Sequence, residues 1–343
     1  TTQTLSKTGS NTLFLNTANS STLLGPIALA AGVIKLGNAA ALGAATSLAT
    51  DGTSLTSGAL LDLNGQTTSE FLSIAGAGRT NFTSARNTLG SVINSSTTSD
   101  ATLSSAVVLS AAASIGSDYI NAVSGGTAPM GINVNGAISG AFVLSKVGSN
   151  TLNLTGANTQ SGLTLALGSV VVSGASGTTG SGPIIVNSGP VSDITPANSL
   201  TLAYAAGAAV DRIAANQAVT ISGGSLTITG HASTAVNESI GTGALTIGNE
   251  HNLITLQNLG ANVQLSSTGA GALTRSNGAT AFIRGDNIGS GAPGASNTNI
   301  IFGTAPSPTG TTTAAFTTNT NTDIIPWIVI EGGAGGSSAT GSS

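Results

Sequence analysis

The sequence predicts an all-β protein, and in particular a parallel β-helix, from three observations. Apolar and polar residues alternate in short runs along most of the chain, which is typical of strands with one buried face. Only 6% of the 343 residues are charged, while glycine numbers 48 and supplies turns. Residues 5–15 recur at 144–154 with nine of eleven positions identical, so the chain contains repeating units.

The alternating runs are short and end in Gly, Asn or Ser. They recur about every 8 to 20 residues, and several of the connections between them are long. Stacked strands that turn on Gly or Asn fit this spacing, with Leu, Val and Ile inward and Thr, Ser and Asn outward. The runs occupy residues 12–16, 60–65, 132–140, 151–156, 169–174, 218–224, 225–230, 244–249 and 262–267.

The alternative architecture is a sandwich or barrel built from β-hairpins. Two-residue turns of the Asn-Gly or Asp-Gly type join the strands of such hairpins. The chain contains dipeptides of this kind at Asp51-Gly52, Asn64-Gly65, Asn135-Gly136 and Asn277-Gly278. Two Ala-rich segments, 39–49 and 203–218, break the alternation, and we expect a short helix or an irregular loop in each.

A third, degenerate copy of the repeated phrase occupies residues 273–285. In each copy one basic residue follows a Leu-Ser or Leu-Thr pair: Lys7, Lys146 and Arg275. The favoured interpretation is a single solvated charge on an outer turn, and the alternative is a binding role.

Residues 144–162, LSKVGSNTLNLTGANTQSG, resemble the passenger-associated, or autotransporter-associated, β-strand repeat. Ser149-Asn150 replaces the usual inner Gly-containing pair, and Gln160 stands where Tyr is usual. The segments 211–233 and 272–302 are similar to the body of very long surface proteins of this type in Planctomycetes and Verrucomicrobia. The matching residues are Lys146, Gly148, Thr151, Leu152, Leu154, Gly156, Asn158, Thr159 and Gly162. The resemblance implies a right-handed parallel β-helix, secreted and displayed outside the cell, without catalytic residues.

The sequence contains no motif that predicts a catalytic, cofactor or metal site. His231 and His251 lie on or next to turns, and only Glu238 and Glu250 are near in sequence, so both imidazoles are expected at the surface. A carbohydrate-active β-helix would need clustered carboxylates. Asp211-Arg212 and the pair formed by Arg284 and Asp286 are better explained as local pairing at turns.

Composition excludes further classes of function. Three Lys and five Arg are scattered singly, so the chain lacks the basic patch that nucleic-acid binding requires. Cysteine is absent, which excludes disulfides and thiolate metal sites. Gly25, Pro26, Gly32 and Lys35 interrupt the apolar segment 22–36, so no membrane span is expected. A chain that begins with TTQT, without a secretory signal, is expected to be a processed product or part of a longer protein.

We predict a β-helix over residues 1–323, an apolar terminal strand over 324–330 and a Gly/Ser-rich tail over 331–343. A β-helix exposes unpaired backbone groups at its ends, which solenoids usually cap, and this sequence has no evident cap. The expected function is a structural subunit of an extracellular fibre or cell-surface filament that associates end to end. The alternatives are an adhesin passenger that contacts surface glycans and, less favoured, a carbohydrate-active enzyme. The candidate assembly strand comprises Ile324, Ile325, Trp327, Ile328, Val329 and Ile330.

Overall fold

The computed structural model describes residues 4–43, 50–78, 89–117, 129–188, 198–205, 211–269, 273–289, 297–303, 325 and 327–333. Within these residues the protein is all β, with 29 strands and no helix. The described strands pair with one another in parallel. The predicted all-β class with parallel sheets is therefore confirmed.

The chain forms two compact units. Unit 1 comprises Thr1–Val172 and Ser176–Gly182, and unit 2 comprises Ser173–Ala175 and Pro183–Ser343. The strands of unit 1 are β1 (Leu5–Lys7), β2 (Thr12–Leu15), β3 (Ile27–Leu29), β4 (Gly32–Leu36), β5 (Thr53–Leu55), β6 (Ala59–Asp62), β7 (Thr67–Thr68), β8 (Leu72–Gly76), β9 (Val92–Ile93), β10 (Ala101–Leu103), β11 (Val107–Ile115), β12 (Ile132–Val134), β13 (Ile138–Ser139), β14 (Leu144–Lys146), β15 (Thr151–Leu154), β16 (Leu163–Leu165) and β17 (Ser169–Val172).

In unit 1 each strand pairs with strands that lie well before or after it in the sequence. One series runs β1, β3, β5, β8, β11, β14 and β16. A second runs β2, β4, β6 and β9, which also pairs β11, and a third runs β7, β10, β12, β15 and β17. The register places apolar residues directly above one another: Ile34, Leu61 and Val92 are successive partners and all are fully buried.

Unit 2 repeats this arrangement with its own strands. Its three series are β18, β20, β23, β26; β19, β21, β24, β27, β29; and β22, β25, β28, where the strands are β18 (Ile184–Asn187), β19 (Ser199–Ala203), β20 (Val219–Ser222), β21 (Ser225–Thr229), β22 (Val236–Ser239), β23 (Leu245–Ile247), β24 (His251–Gln257), β25 (Val263–Ser267), β26 (Leu273–Arg275), β27 (Thr280–Asp286), β28 (Thr298–Phe302) and β29 (Ile328–Gly333). Successive partners form the buried ladder Leu200, Leu226, Ile254 and Ile283.

Two of the Asn-Gly dipeptides are corners between different series of strands. Asn64 and Gly65 both have positive φ, at 47° and 75°, as do Asn277 and Gly278, at 51° and 70°. This is the backbone of a hairpin turn, yet the flanking strands pair with other strands in parallel and not with each other. The hairpin alternative is therefore wrong for the described part of the chain.

The Ala-rich segments also differ from one of the two structures expected for them. The described residues of 39–49 form turns and those of 203–218 form strand, turn and irregular backbone, so neither described part is helical. Residues 44–49 and 206–210 lie outside the described ranges.

Candidate functional site

The candidate assembly strand corresponds to β29 and the residues before it. Ile324 lies outside the described residues, while Ile325 and Trp327 are half-buried. β29 pairs in parallel with β27, placing Ile328 against Ala281 and Ile330 against Ile283. Its other edge pairs with no described strand. The strand that the sequence singled out is thus the outermost described strand of its series in unit 2.

β29 continues the core ladder of unit 2 but leaves it open. Ile330 follows Ile254 and Ile283 in register, and its exposed fraction is 62%, against 0% and 6% for those two residues. Val329 is 64% exposed. Apolar area of this kind favours coverage by another protein surface.

Trp327 is held against the body of unit 2 by two contacts. The backbone N–H of Ala281 donates to its carbonyl oxygen at 2.9 Å. The guanidinium carbon of Arg275 lies 5.6 Å from the centroid of its ring, a cation–π distance. Arg275 therefore links the third copy of the repeated phrase to the residue that precedes β29.

A second open ladder lies in β1 and β2 of unit 1. Leu13 and Leu15 are half-buried, although their register partners Ile34 and Leu36 are fully buried. Phe14, between them, is 50% exposed. The first described strands of unit 1 thus share with β29 a row of apolar side chains that other described strands cover on one side only.

Lys146 is not a solvated charge on an outer turn, so that prediction is wrong at this position. Its side chain is fully buried. The ammonium donates to the carbonyl oxygens of Val147 at 2.8 Å, Gly148 at 2.6 Å and Leu167 at 3.1 Å. These carbonyls belong to its own turn and to the turn after the neighbouring strand β16. Lys146 therefore joins two successive turns from inside.

Lys7 makes the same three contacts in the first copy. Its ammonium donates to the carbonyls of Thr8 at 3.1 Å, Gly9 at 2.7 Å and Ala31 at 3.1 Å, but the residue is half-exposed. Arg275 differs, because it is exposed and, among the described residues, donates only within its own turn, to Gly278 and Ala279. The basic residue of each copy thus binds backbone carbonyls.

The ammonium of each lysine also reaches a carbonyl of the neighbouring turn, that of Ala31 or Leu167, and in both cases the next residue is glycine. Gly32 has φ +77° and Gly168 has φ +83°. A side chain at Gly32 would overlap the carbonyl oxygen of Gly9, and one at Gly168 would overlap that of Gly148. Both positions therefore need glycine for its left-handed backbone and for close approach of the next turn.

Unit 2 contains a buried polar cluster that the sequence does not predict, formed by Tyr204, Arg212 and Glu238. All three are at most 1% exposed. The Tyr204 hydroxyl hydrogen-bonds Glu238 Oε2, which also accepts from the backbone N–H of Arg212 at 3.0 Å. Glu238 Oε1 accepts from the backbone N–H of Ile213 at 2.9 Å.

The Arg212 guanidinium stacks on Tyr204, 4.5 Å from the ring centroid, and donates to the carbonyls of Gly174 and Ala203. Burial raises the pKa of Glu238 to about 7, although the two backbone N–H groups act in the opposite direction. Burial lowers the pKa of Arg212 and raises that of Asp211. Arg212, expected at a turn beside Asp211, is therefore an interior residue. Glu238 lies 34 positions after Tyr204, and no local pattern signals that they meet.

His251 is exposed, and His231 is half-exposed. His231 Nδ1 accepts from the backbone of Ser233 and Thr234, and His251 Nδ1 lies 2.6 Å from Thr280 Oγ1. Among the described residues no three His, Cys, Asp or Glu side chains are grouped as metal ligands would be.

Arg284 and Asp286, which are expected to pair with each other at a turn, each hydrogen-bond a residue of another strand or turn. Arg284 donates to Thr255, and Asp286 accepts from the backbone N–H of Asn258.

None of the described residues belongs to a helix that is long and apolar enough to cross a membrane.

The outer strands with open apolar ladders, β1, β2 and β29, are the best candidate for a functional surface. Lys146 and the Glu238 cluster are buried, and the contacts described above are to the protein's own backbone and side chains. Comparison of the chain with protein-family models, with curated proteins and with solved structures gives no match.

Proposed function

We propose that this protein is a structural subunit whose copies stack head to tail through their outer strands into an extracellular filament. In this proposal each unit is a stretch of right-handed parallel β-helix. The observation that carries the proposal is the open core ladder: Ile330 is 62% exposed although its partner Ile283 is 6% exposed. A second copy that stacks on β29 would bury Ile330 as Ile283 is buried.

The occupant that we propose for β29 is the β1 and β2 surface of another copy. That surface presents half-buried Leu13 and Leu15, which are also ladder residues that need an apolar neighbour. The two surfaces differ in charge, since Glu331 is exposed on β29 and Lys7 is half-exposed on β1. Contact between two different surfaces of identical chains does not close on itself unless a ring forms, so it propagates as a filament.

Parallel strand addition supplies the directional part of the contact. An edge strand offers alternating N–H and C=O groups that a further strand can bind, with side chains in register for specificity. The low content of charged residues, 6%, supports stacking because like charges in register repel one another. The resemblance to passenger repeats supports the extracellular location.

The experiment uses two complementary variants of the full chain. Ile330→Lys places a charge on the β29 ladder, and Leu13→Lys places one on the β2 ladder. Each variant alone should be monomeric by sedimentation velocity and should show no filaments by negative-stain microscopy. Mixed in equal amounts they should form dimers, because each retains the surface that the other has lost. Leu259→Lys, at a side chain that is 45% exposed, is the control and should still form filaments.

The outcomes separate the proposal from its alternative. Filaments in both single variants, or no dimer in the mixture of two folded variants, would contradict head-to-tail stacking. Isolated monomeric rods in the unmodified protein would favour the adhesin passenger. Circular dichroism of each variant establishes that it is folded, and an electron cryo-microscopy map of the filament would determine handedness.

A further inference from the structure

We propose that Asn277 is a site of spontaneous deamidation, with the backbone nitrogen of Gly278 as the attacking group and water as the second reactant. The chain has three Asn-Gly dipeptides, at 64–65, 135–136 and 277–278. Asn-Gly is the reactive pairing because glycine has no side chain to hinder attack by its own backbone nitrogen. The structure distinguishes the three sites.

The reaction has two steps. The Gly278 backbone nitrogen loses its proton to solvent base and attacks Cγ of Asn277. An N–Cγ bond forms, the Cγ–Nδ2 bond breaks, and ammonia leaves, which produces a five-membered succinimide. Water then opens the ring at either carbonyl carbon, giving aspartate at position 277 or isoaspartate, in which the backbone runs through the side chain. No oxidant, metal or further reactant is needed.

Asn64-Gly65 is a natural control for Asn277-Gly278. The φ angles are 47° and 75° at the first site and 51° and 70° at the second, so the backbones are closely similar there. The Gly65 N–H donates to Asn94 Oδ1 at 2.8 Å, which holds both the proton and the nitrogen in place. None of the described residues accepts a hydrogen bond from the Gly278 N–H.

The Asn277 side chain is also less buried and less constrained by hydrogen bonds than the Asn64 side chain. Asn64 is half-buried, and its amide donates to the Leu36 carbonyl at 2.8 Å. Asn277 is exposed, and its amide makes one hydrogen bond, to Asn249 Oδ1 at 2.6 Å. A side chain added at Gly278 would meet no atom of the described residues within contact distance, so this side of the turn is open to water and base. At this site the Gly278 nitrogen donates to none of the described residues, and the Asn277 side chain is exposed to solvent.

Asn135-Gly136 lies between these extremes. Asn135 is exposed, and its side-chain oxygen accepts from Thr155 at 3.0 Å. The Gly136 N–H donates to the Leu103 carbonyl at 3.4 Å, a long hydrogen bond. We therefore expect the order of reactivity in the folded protein to be Asn277, then Asn135, then Asn64.

The product would alter the contact that holds Trp327. Deamidation removes the hydrogen bond from Asn277 to Asn249. Isoaspartate also adds a methylene to the backbone immediately before Gly278, whose carbonyl accepts from Arg275. Arg275 stacks on Trp327, the residue before β29. Modification at Asn277 thus acts on the turn that anchors the outermost described strand of its series.

The test is peptide mass spectrometry after incubation of the full chain at mildly alkaline pH, folded and in parallel in denaturant. The rate at each site is read from the mass change when NH2 becomes OH, and isoaspartate is assayed by enzymatic methylation. The denatured rate corrects for neighbouring residues. The ratio of folded to denatured rate should be highest at Asn277 and at least about fivefold lower at Asn64, since one hydrogen bond contributes about 1 kcal/mol.

Asn277→Gln is the matched variant. It should remove most of the isoaspartate that forms in the folded protein while leaving its circular dichroism spectrum unchanged. The proposal is overturned if Asn64 or Asn135 has the higher ratio, or if Asn277 is protected to the same degree as Asn64. It is also overturned if Asn277→Gln leaves the isoaspartate content unchanged. These outcomes do not depend on filament formation.

Discussion

The two copies of the repeated phrase, residues 5–15 and 144–154, have nearly the same sequence and different surroundings. In both, a lysine binds two carbonyls of its own turn and one of the turn beside the next strand. In the second copy, β14 and β15 each have a partner strand on both sides, and Lys146 and Leu152 are fully buried. In the first, β1 and β2 have a described partner on one side only, and Lys7 and Leu13 remain half-exposed.

The difference shows that this phrase encodes a turn and its hydrogen bonds but not its own burial. The backbone geometry is local, because Gly9 and Gly148 have φ of 78° and 70° in the two copies. Burial is supplied by the neighbouring strands. Equivalent residues of the two copies should therefore contribute differently to stability when the contribution depends on exclusion of water. They should contribute equally when it depends on backbone conformation.

The largest expected difference is between Lys146→Met and Lys7→Met. Loss of the Lys146 ammonium leaves two buried carbonyls and one part-buried carbonyl without that donor, and we expect the free energy of unfolding to fall by about 4 kcal/mol. At Lys7 water can replace the ammonium, so the fall should be less than about 1 kcal/mol. Urea denaturation followed by circular dichroism measures both. Equal losses would show that burial does not decide the effect.

The next difference is between Leu152→Ala and Leu13→Ala. Leu152 is fully buried between partners on both sides, so its truncation should cost about 3 kcal/mol through lost burial and a cavity. Leu13 is half-exposed, and its truncation should cost about 1 kcal/mol in the monomer. In the proposed filament Leu13 would be covered, so the cost measured on filaments should approach that of Leu152. A cost at Leu13 that is the same in both states would argue against coverage.

Gly168→Ala and Gly32→Ala should have similar effects, about 2 kcal/mol or more each. Both residues have positive φ, and at both a methyl group would overlap the carbonyl of the preceding turn. Gly9→Ala is the control, because φ is +78° and a methyl group would meet no atom of the described part of the chain, which leaves a backbone cost of about 1 kcal/mol. Thermal unfolding of the three variants measures these costs. A much smaller effect at Gly32 than at Gly168 would show that even the backbone term depends on burial.

The smallest effect concerns Glu238. This residue is a buried acid in unit 2, whereas the second copy of the repeated phrase contains a buried base, Lys146. Its pKa is raised from 4.5 to about 7 by burial, so between these values the folded state keeps a proton that the unfolded state has lost. Stability from this group therefore falls as pH rises through that window. From about pH 6 to about pH 8 the free energy of unfolding should fall by about 1 kcal/mol.

Glu238→Gln should remove this part of the pH dependence. Arg212, whose backbone N–H donates to Glu238, is not changed in the variant. Urea denaturation at the two pH values compares the variant with the unmodified chain. An identical pH dependence in both would show that Glu238 is not the titrating group.

Much of the architecture could be predicted from the sequence because it depends on local patterns. Alternation in segments such as Thr151–Leu154 and Ser225–Thr229 sets one buried face, and both segments are strands. The apolar residues predict a terminal strand over 324–330, whereas β29 spans Ile328–Gly333, so it contains three of those apolar residues and extends into the predicted tail. The Asn-Gly pairs at 64 and 277 were identified as turns, but which strands they join depends on pairing over long distances.

The residues that the sequence could not place are those whose partners are distant in the chain. Lys146 was expected outside because charged side chains are usually solvated, whereas the Leu167 carbonyl that completes its shell is 21 positions away. The Tyr204, Arg212 and Glu238 cluster depends on contacts over 8 to 38 positions. Such contacts follow from the register of the sheets, which composition and spacing do not specify.

The variable distance between register partners has a consequence for how this fold tolerates change. Val170 follows its partner Leu152 by 18 positions, and Val329 follows Phe282 by 47, yet both pairs stand side by side in parallel sheets. The connections can therefore lengthen without altering which residues pair. Because each doubling of a flexible connection costs only about 0.6 kcal/mol, peptides inserted at the corners should leave the sheets intact. The fold can thus accommodate connections of many lengths while the pairing of its strands stays the same.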